Sequence, residues 1–182
     1  MLILLSGFMC SGKSYIGQRL ANKLHFAFID FDQYMEGNIL KCSTSQYLNR
    51  FSEETFRNLE AYAFRELIKQ CKKADIVIAI SGEVLLDKNS QVLVKKWCNT
   101  IYLRDLLNTL IVRAAQNQEQ NKGQLLKGLS IDELSHKIVQ LMHDREPIYE
   151  KTANYVCNTE DFSTDRLLVN HLTNYINSLR HK

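Results

Sequence analysis

Short apolar runs alternate along the chain with longer segments in which apolar residues recur at helical spacing. The run at 2–5 precedes a helical pattern at Lys13–Leu24, where Ile16, Leu20 and Leu24 share one face. Continuously apolar runs are typical of strands buried on both faces, because a sheet with one wet face alternates apolar and polar positions. Strands are predicted at 2–5, 26–29, 76–80, 100–103 and 154–157, and helices at 13–24, 31–36, 45–49, 53–72, 90–97, 106–115, 131–149 and 164–179.

This order of elements predicts a three-layer α/β fold, in which helices cover both faces of a parallel sheet. Ligands of such sheets bind outside the carboxyl ends of the strands. Gly7, Asp30, Ser81 and Leu103 lie at or just beyond predicted strand ends, so their loops are expected at that edge. Residues 116–128 are polar, contain glycine and lack periodicity, which predicts a loop or lid between two helices.

Composition limits the classes of protein that need to be considered. A chain of 182 residues with 45% hydrophobic and 24% charged residues is expected to form a single domain over residues 1–182. No run reaches the ~18 apolar residues of a membrane span. The first residues lack a basic region and continue directly into a glycine-containing loop, so a cleaved signal is not expected and a cytoplasmic location is predicted.

Cysteine spacing and charge exclude three further kinds of site. The five cysteines are far apart and form no C-x-x-C pair, which argues against a disulfide framework and against a zinc site. The net charge of +3 is small, and the basic residues are interspersed with acidic ones. A nucleic-acid surface is therefore not expected.

Residues 7–14 read Gly-Phe-Met-Cys-Ser-Gly-Lys-Ser, the phosphate-binding pattern G-x-x-x-x-G-K-[ST]. The two glycines let the backbone wrap around phosphate, and the following helix directs its positive end at the same anion. Lys13 is expected to reach the β and γ phosphates of ATP, and Ser14 to ligate Mg²⁺. The alternative is a glycine turn that merely caps a helix. The predicted nucleotide-binding residues of this segment are Gly7, Cys10, Ser11, Gly12, Lys13, Ser14 and Tyr15.

Two acidic residues follow the second predicted strand. Asp30 ends that strand and Asp32 follows two positions later, so one carboxylate can face a metal ion and the other a substrate hydroxyl. Asp32 can also N-cap the helix that follows, and both roles are compatible.

The motifs, taken in order, resemble those of the shikimate kinase family, which has the nucleoside monophosphate kinase fold. Residues 7–14 are similar to that family's Gly-Phe-Met-Gly-Ser-Gly-Lys-Ser/Thr, and Phe-Ile-Asp-Phe-Asp at 28–32 matches Phe-Ile-Asp-x-Asp. Residues 53–60 contain the family's Glu-x-x-Phe-Arg-x-x-Glu, and residues 145–149 resemble Arg-x-Pro-Leu-Tyr. Together the motifs cover most of the chain.

The resemblance implies a five-stranded sheet in the order 2-3-1-4-5, a substrate-binding helical region at about 32–62, and a lid over ATP. It implies a monomeric kinase that phosphorylates the 3-hydroxyl of shikimate with ATP and Mg²⁺, a step of aromatic amino-acid biosynthesis. In that assignment Asp30 lies near Mg²⁺, Asp32 binds and helps to deprotonate the acceptor hydroxyl, and Arg57 and Arg145 hold the acceptor's carboxylate. Glu60 orients Arg57.

Simpler structural readings exist for the same residues. Arg57 and Glu60 stand at i and i+3, which is also typical of a solvated surface pair on a helix. Arg145 followed by Glu146 can be a pair at a helix end, and Pro147, the only proline, can mark the end of that helix.

The chain departs from the family pattern at two places. Ser81-Gly82-Glu83 replaces Gly-Gly-Gly, so Gly82 alone keeps the expected substrate-facing backbone. Glu83 either approaches the acceptor pocket, where it repels an anionic substrate unless a cation such as Arg57 pairs with it, or points away. The lid lacks the family's arginine, and Lys122 or Arg113 is the candidate replacement, with Lys122 predicted to contact the nucleotide. Within the phosphate loop, Cys10 also replaces a glycine.

Three functions are compatible with these residues. The first is ATP-dependent phosphorylation of shikimate. The second is a kinase for another small hydroxy acid or a nucleotide precursor, which Glu83 suggests. The third is a nucleotide-binding protein with weakened catalysis, which the altered lid suggests.

Overall fold

Five parallel strands form the centre of the molecule. The computed structural model describes residues 1–116 and 128–180. The sheet order is β2-β3-β1-β4-β5, which confirms the predicted three-layer α/β class and strand order. Strand β1 pairs with β3 through Leu2 opposite Ile76 and with β4 through Ile3 opposite Asn99. The strands are β1 (Leu2–Ser6), β2 (Ala27–Asp30), β3 (Ile76–Ala79), β4 (Asn99–Arg104) and β5 (Tyr155–Asn158).

The helices divide between the two faces of the sheet. Alternate residues of β1 enter different clusters: Leu2 and Leu4 pack on one face, and Ile3 and Leu5 on the other. This is the two-residue period of a strand that is buried on both sides. The helices are α1 (Lys13–Leu24), α2 (Phe31–Tyr34), α3 (Thr44–Leu48), α4 (Glu53–Cys71), α5 (Lys88–Trp97), α6 (Leu107–Gln116), α7 (Ile131–Thr152) and α8 (Asp165–Arg180).

Helices α1 and α8 cover the face that contains Ile3 and Leu5. The face that contains Leu2 and Leu4 is covered by the helices between α2 and α7 that have buried residues. Both clusters are dominated by aliphatic and aromatic side chains, such as Leu20 of α1 and Phe64 of α4, which are fully buried. Burying such a side chain contributes about 1.5–3 kcal/mol relative to leaving it in water. No helix in the described residues is long and apolar enough to cross a membrane.

Two predicted elements differ from those observed. The helix predicted at 31–36 is a single α-helical turn, α2, followed by a π-helix at Met35–Leu40. The helix predicted at 131–149 is α7, which ends three residues later, at Thr152, and contains Pro147 in its interior. The alternative that Pro147 marks the helix end is therefore wrong.

Candidate active site

The phosphate loop joins the end of β1 to the start of α1. Gly7 has φ +146°, and a Cβ there would lie 2.7 Å from the carbonyl oxygen of Leu103 in the adjacent strand β4. Gly12 has φ +79° and is the N-cap of α1, where no side chain caps the helix. The first amides of α1 are therefore available to an anion at the positive end of the helix.

Cys10 occupies a backbone position that favours glycine. Its φ of +63° is in the left-handed region, which costs a residue with a Cβ about 1–2 kcal/mol. The shikimate kinase motif has glycine at this position. The residues around Cys10 therefore have to hold its backbone in this conformation.

The side chain of Lys13 is hydrogen-bonded to the backbone of the phosphate loop. Its Nζ donates to the carbonyl oxygen of Phe8 at 2.7 Å, and burial lowers the pKa of its ammonium group to about 8, although Asp32, Cys10 and Asp30 act in the opposite direction. A bound polyphosphate would stabilise the charged form in the same place. The buried Ser11 hydroxyl has no hydrogen-bond partner among the described residues, and Ser14 and Tyr15 are exposed at the mouth of the loop. These features fit the phosphates of ATP.

Asp30, not Asp32, caps the helix after β2. The amide of Gln33 donates to Asp30 Oδ1 at 3.1 Å. The alternative in which Asp32 provides the N-cap is therefore wrong. Asp32 lies in the first turn of α2, and its carboxylate exerts the largest charge effect on Lys13. Both acidic residues thus lie within electrostatic reach of the phosphate loop.

The residues that would hold Mg²⁺ are few. Ser14 is exposed at the start of α1, and Asp30 keeps its second carboxylate oxygen outside the capping bond. No cluster of three or more metal-binding side chains is present in the described ranges. Mg²⁺ in nucleotide sites is commonly held by one or two protein oxygens together with phosphates and water, so this set fits the ion.

Arg57 and Arg145 line the same pocket. Helix α4 provides Arg57, and α7 provides Arg145, whose guanidinium carbon is 5.9 Å from the centre of the Phe8 ring in the phosphate loop. The pocket has a volume of about 550 Å³ and is lined by Arg57, Arg145, Glu83 and neighbouring residues of α4. The acceptor arginines predicted from the sequence are thus brought together beside the phosphate loop.

Glu60 is buried beneath Arg57. Its Oε2 accepts from Arg57 Nη1 at 2.9 Å, and its Oε1 accepts from the Ser81 hydroxyl at 2.9 Å. The Glu60 residue is only 3% exposed, so the reading as a solvated surface pair is wrong. Burial raises the pKa of the Glu60 carboxyl, although Arg57 and Ser81 oppose that shift. For Arg57, burial lowers the guanidinium pKa, but the carboxylates of Glu60 and Glu83 outweigh this effect and raise it.

Glu83 faces the pocket and contacts both arginines. Its Oε1 accepts from Arg145 Nη2 at 2.5 Å, and its Oε2 forms an ion pair with Arg57 Nη2. Of the two orientations that the sequence allowed, the one that pairs Glu83 with a cation is observed. The alternative pairing of Arg145 with Glu146 is not observed. Glu146 instead accepts from the hydroxyl of Tyr102 at 3.2 Å and pairs with Arg104.

Gly82 is in close contact with two parts of the site. A Cβ there would lie 2.1 Å from the hydroxyl oxygen of Tyr149 and 3.3 Å from the carbonyl oxygen of Gly7. Tyr149 is fully buried, and burial raises the pKa of its phenol. Sequence reasoning missed this role of Tyr149, although the residue belongs to the last motif. The contact gives a packing reason why one glycine is retained after β3.

A separate groove lies next to Cys10 of the phosphate loop. It has a volume of about 300 Å³ and includes Asp105, Arg113 and the segment from Thr159 to Asp165. Arg113 Nη1 donates to the carbonyl oxygen of Cys10 at 3.2 Å and pairs with Asp105. Sequence reasoning named Arg113 only as a lid cation and missed the segment after β5, which has no periodic pattern. Lys122 and most of the predicted lid lie outside the described residues.

Comparison with known proteins identifies the family. The model of the family described as shikimate kinase matches residues 9–177. The chain is 36% identical to the shikimate kinase of Chlorobium limicola over 150 residues, 81% of this chain and 73% of that protein. It is 31% identical to the shikimate kinase of Thermoanaerobacter pseudethanolicus over 174 residues, 96% of this chain and 95% of that protein.

The fold is similar to that of solved shikimate kinases. The crystal structure of the enzyme from Bacteroides thetaiotaomicron matches with a TM-score of 0.82 and 25% identity over 100% of this chain and 99% of that one. The enzyme from Acinetobacter baumannii in complex with shikimate matches with a TM-score of 0.85 and 23% identity over 99% and 94% of the two chains, a likeness of fold. From its matching family model, its curated relatives and its sheet order, the chain belongs to the shikimate kinase family.

Proposed function

We propose that the protein transfers the γ-phosphoryl group of ATP to the 3-hydroxyl of shikimate and releases shikimate 3-phosphate and ADP. One observation carries this proposal. The phosphate loop with Lys13, the carboxylate of Asp32 and the pair of Arg57 and Arg145 all meet at the carboxyl edge of the sheet. Membership of the shikimate kinase family supports the same reaction.

ATP would bind along the phosphate loop and into the groove beside it. The amides at the start of α1 and the ammonium of Lys13 bind the phosphates, and the buried Ser11 hydroxyl gains a partner. The groove that contains Arg113 is next to Cys10, so it is placed to receive the nucleoside. Ser14 and Asp30 would hold Mg²⁺, which neutralises charge on the β and γ phosphates when bound.

The acceptor would bind between the phosphate loop and α4. Arg57 and Arg145 present planar guanidinium groups, which match a carboxylate with two hydrogen bonds better than a lysine does. Glu60 holds Arg57 in position from below, and the backbone at Gly82 approaches the acceptor from the sheet. Asp32 accepts the proton of the attacking hydroxyl, and Lys13 stabilises the charge that develops on the transferred group.

Coupled measurement of ADP release with shikimate as the acceptor tests the reaction. Wild-type protein is expected to show shikimate-dependent ADP release in the presence of Mg²⁺. Asp32→Asn should lower kcat at least 100-fold while MgATP binding is kept, since a positioned base contributes about 10²–10⁴ in rate. Lys13→Met should weaken MgATP binding itself. A folded protein that releases no ADP above the acceptor-free background would contradict the proposal.

One observation favours a second acceptor. Glu83 already pairs with both arginines, so a substrate without a carboxylate could bind in the pocket without displacing it. A panel of hydroxylated acids and neutral polyols in the same assay separates the two cases. A higher kcat/KM for a neutral polyol than for shikimate would establish the second function. Binding of MgATP without turnover of any acceptor would instead indicate weakened catalysis.

The monomeric state and the cytoplasmic location are part of the same proposal. Light scattering should give a mass near the 21.1 kDa of one chain, with and without ATP. Fractionation of cells that express the full-length protein should recover it with cytoplasmic markers.

A further inference from the structure

Glu83 makes the contacts that an acceptor's carboxylate would make. Its two oxygens are divided between the two guanidinium groups, Oε1 on Arg145 and Oε2 on Arg57. The carboxylate therefore bridges two arginines that come from different helices. A free carboxylate held by the same pair would need these donor nitrogens.

The charges and the low exposure around Glu83 disfavour the binding of a second carboxylate beside it. The side chains of Glu83 and Arg145 are 11% and 8% exposed, so their contact is poorly hydrated. Arg57 also pairs with the buried Glu60 and, at 3.5 Å, with Glu53. Two arginines thus face three glutamates before any substrate arrives. An additional carboxylate would add a further negative charge to this partly desolvated cluster, which is unfavourable.

The connection of Glu83 to the fold allows its side chain to move. It follows Gly82 and precedes a short 3-10 helix at Val84–Leu86, and its carbonyl oxygen accepts from the amide of Leu86 at 2.9 Å. The backbone is therefore anchored, while the side chain can rotate about its three torsions away from the two arginines.

We propose that Glu83 is an internal competitor of the substrate: its carboxylate holds Arg57 and Arg145 in the free protein and must leave before the acceptor's carboxylate binds. This inference rests on the proposed function. It makes Glu83 a residue that sets the affinity for carboxylate acceptors. The apparent dissociation constant equals the intrinsic one divided by the fraction of molecules in which the arginine pair is open.

Charge removal at position 83 tests the competition. Glu83→Gln keeps the size of the side chain and one acceptor oxygen, and Glu83→Gly removes the side chain. Either change is expected to lower the Kd for shikimate and its KM about tenfold, with kcat changed less than about twofold. Glu54→Gln is the matched control, because Glu54 is an exposed carboxylate on the rim of the same pocket. It should change the Kd less than about twofold.

Calorimetric titration with shikimate and the coupled assay are run on each protein, after a thermal melt shows that it is folded. If Glu83→Gly does not fold, Glu83→Gln decides. A Kd that is unchanged or higher in Glu83→Gln overturns the inference, as does a Glu54→Gln effect of the same size. Failure of wild type and variants alike to bind shikimate also overturns it. A lower Kd without phosphoryl transfer in any protein supports the competition and contradicts the proposed function.

Discussion

Gly82 shows how a single residue position is determined by a neighbour distant in sequence. Its hydrogen replaces a Cβ that would meet the Tyr149 hydroxyl oxygen at 2.1 Å and the Gly7 carbonyl oxygen at 3.3 Å. The resemblance to shikimate kinases implies a substrate-facing backbone here, and that role stays a prediction. The observed contacts show that the glycine is also needed for packing between α7 and the phosphate loop.

Gly82→Ala is expected to destabilise the protein by about 1–3 kcal/mol, because an extra methyl group in a close-packed site forces its neighbours to move. Urea unfolding measures the change. Gly37→Ala is the matched control, since a Cβ there has nothing within 4 Å, and it should cost less. Adding Tyr149→Phe to Gly82→Ala should restore part of the loss, because the oxygen at 2.1 Å is removed. Absence of any rescue would contradict this explanation.

Ser81 donates a partly buried hydrogen bond to Glu60, the partner of Arg57. Ser81→Ala removes the donor to Glu60 Oε1 and should lower the free energy of unfolding by about 1–2 kcal/mol, because a buried carboxylate loses a partner. The KM for shikimate should rise as Glu60 and Arg57 become less well positioned. Ser178→Ala, which loses a bond on an exposed helix surface, is the control in the same urea titrations and assays. Equal stability losses in both variants would contradict the prediction.

Helix α7 contains a proline in its interior. A proline normally ends a helix or kinks it, since it lacks an amide hydrogen and crowds the preceding turn. Here α7 continues past Pro147 and buries Tyr149 and Thr152 in the last turns. Local propensity is outweighed by tertiary packing, because both side chains are buried.

Pro147→Ala should raise the free energy of unfolding by about 1–2 kcal/mol. An interior proline costs a helix about 3 kcal/mol, and its removal gives back up to about 1 kcal/mol of entropy to the unfolded chain. Thermal and urea unfolding measure the net effect. A loss of stability would show instead that the proline shapes the approach of Tyr149 to Gly82.

The whole chain is expected to unfold as one unit. The sheet separates two hydrophobic clusters, but β1, β3 and β4 each have buried residues in both of them. Loss of either cluster therefore exposes the other. Urea transitions followed by fluorescence of Trp97, the only tryptophan, and by far-ultraviolet circular dichroism should coincide. Two separated transitions would show that residues 1–182 do not behave as a single domain.

Most strands and helices were predictable because their signals are local. Apolar runs and helical periodicity gave the order of the elements, and their ends differ from the observed ends by only a few residues at most positions. The phosphate loop was also predictable, since its glycines, lysine and serine are consecutive. The short helix after β2 was less so, because the change from an α-helical turn to a π-helix has no periodic signature.

The acceptor side of the site was only partly accessible from sequence. Arg57, Glu60 and Arg145 could be named from motifs, but their pairing could not, because the i and i+3 spacing of Arg57 and Glu60 equally describes a surface pair. The orientation of Glu83 likewise stayed open. The groove that contains Arg113 had no signal, since most of its residues come from α6 and from the segment that joins β5 to α8.

Residue order alone was sufficient for the fold class and for the anion-binding loop, because both depend on neighbours within a few positions along the chain. The contact of Glu83 with Arg145 joins residues 62 positions apart. It depends on how α4 and α7 pack beside the turn after β3 and on the side-chain torsions that this packing permits. Such contacts have no local pattern, so only the folded chain shows that Glu83 bridges Arg57 and Arg145.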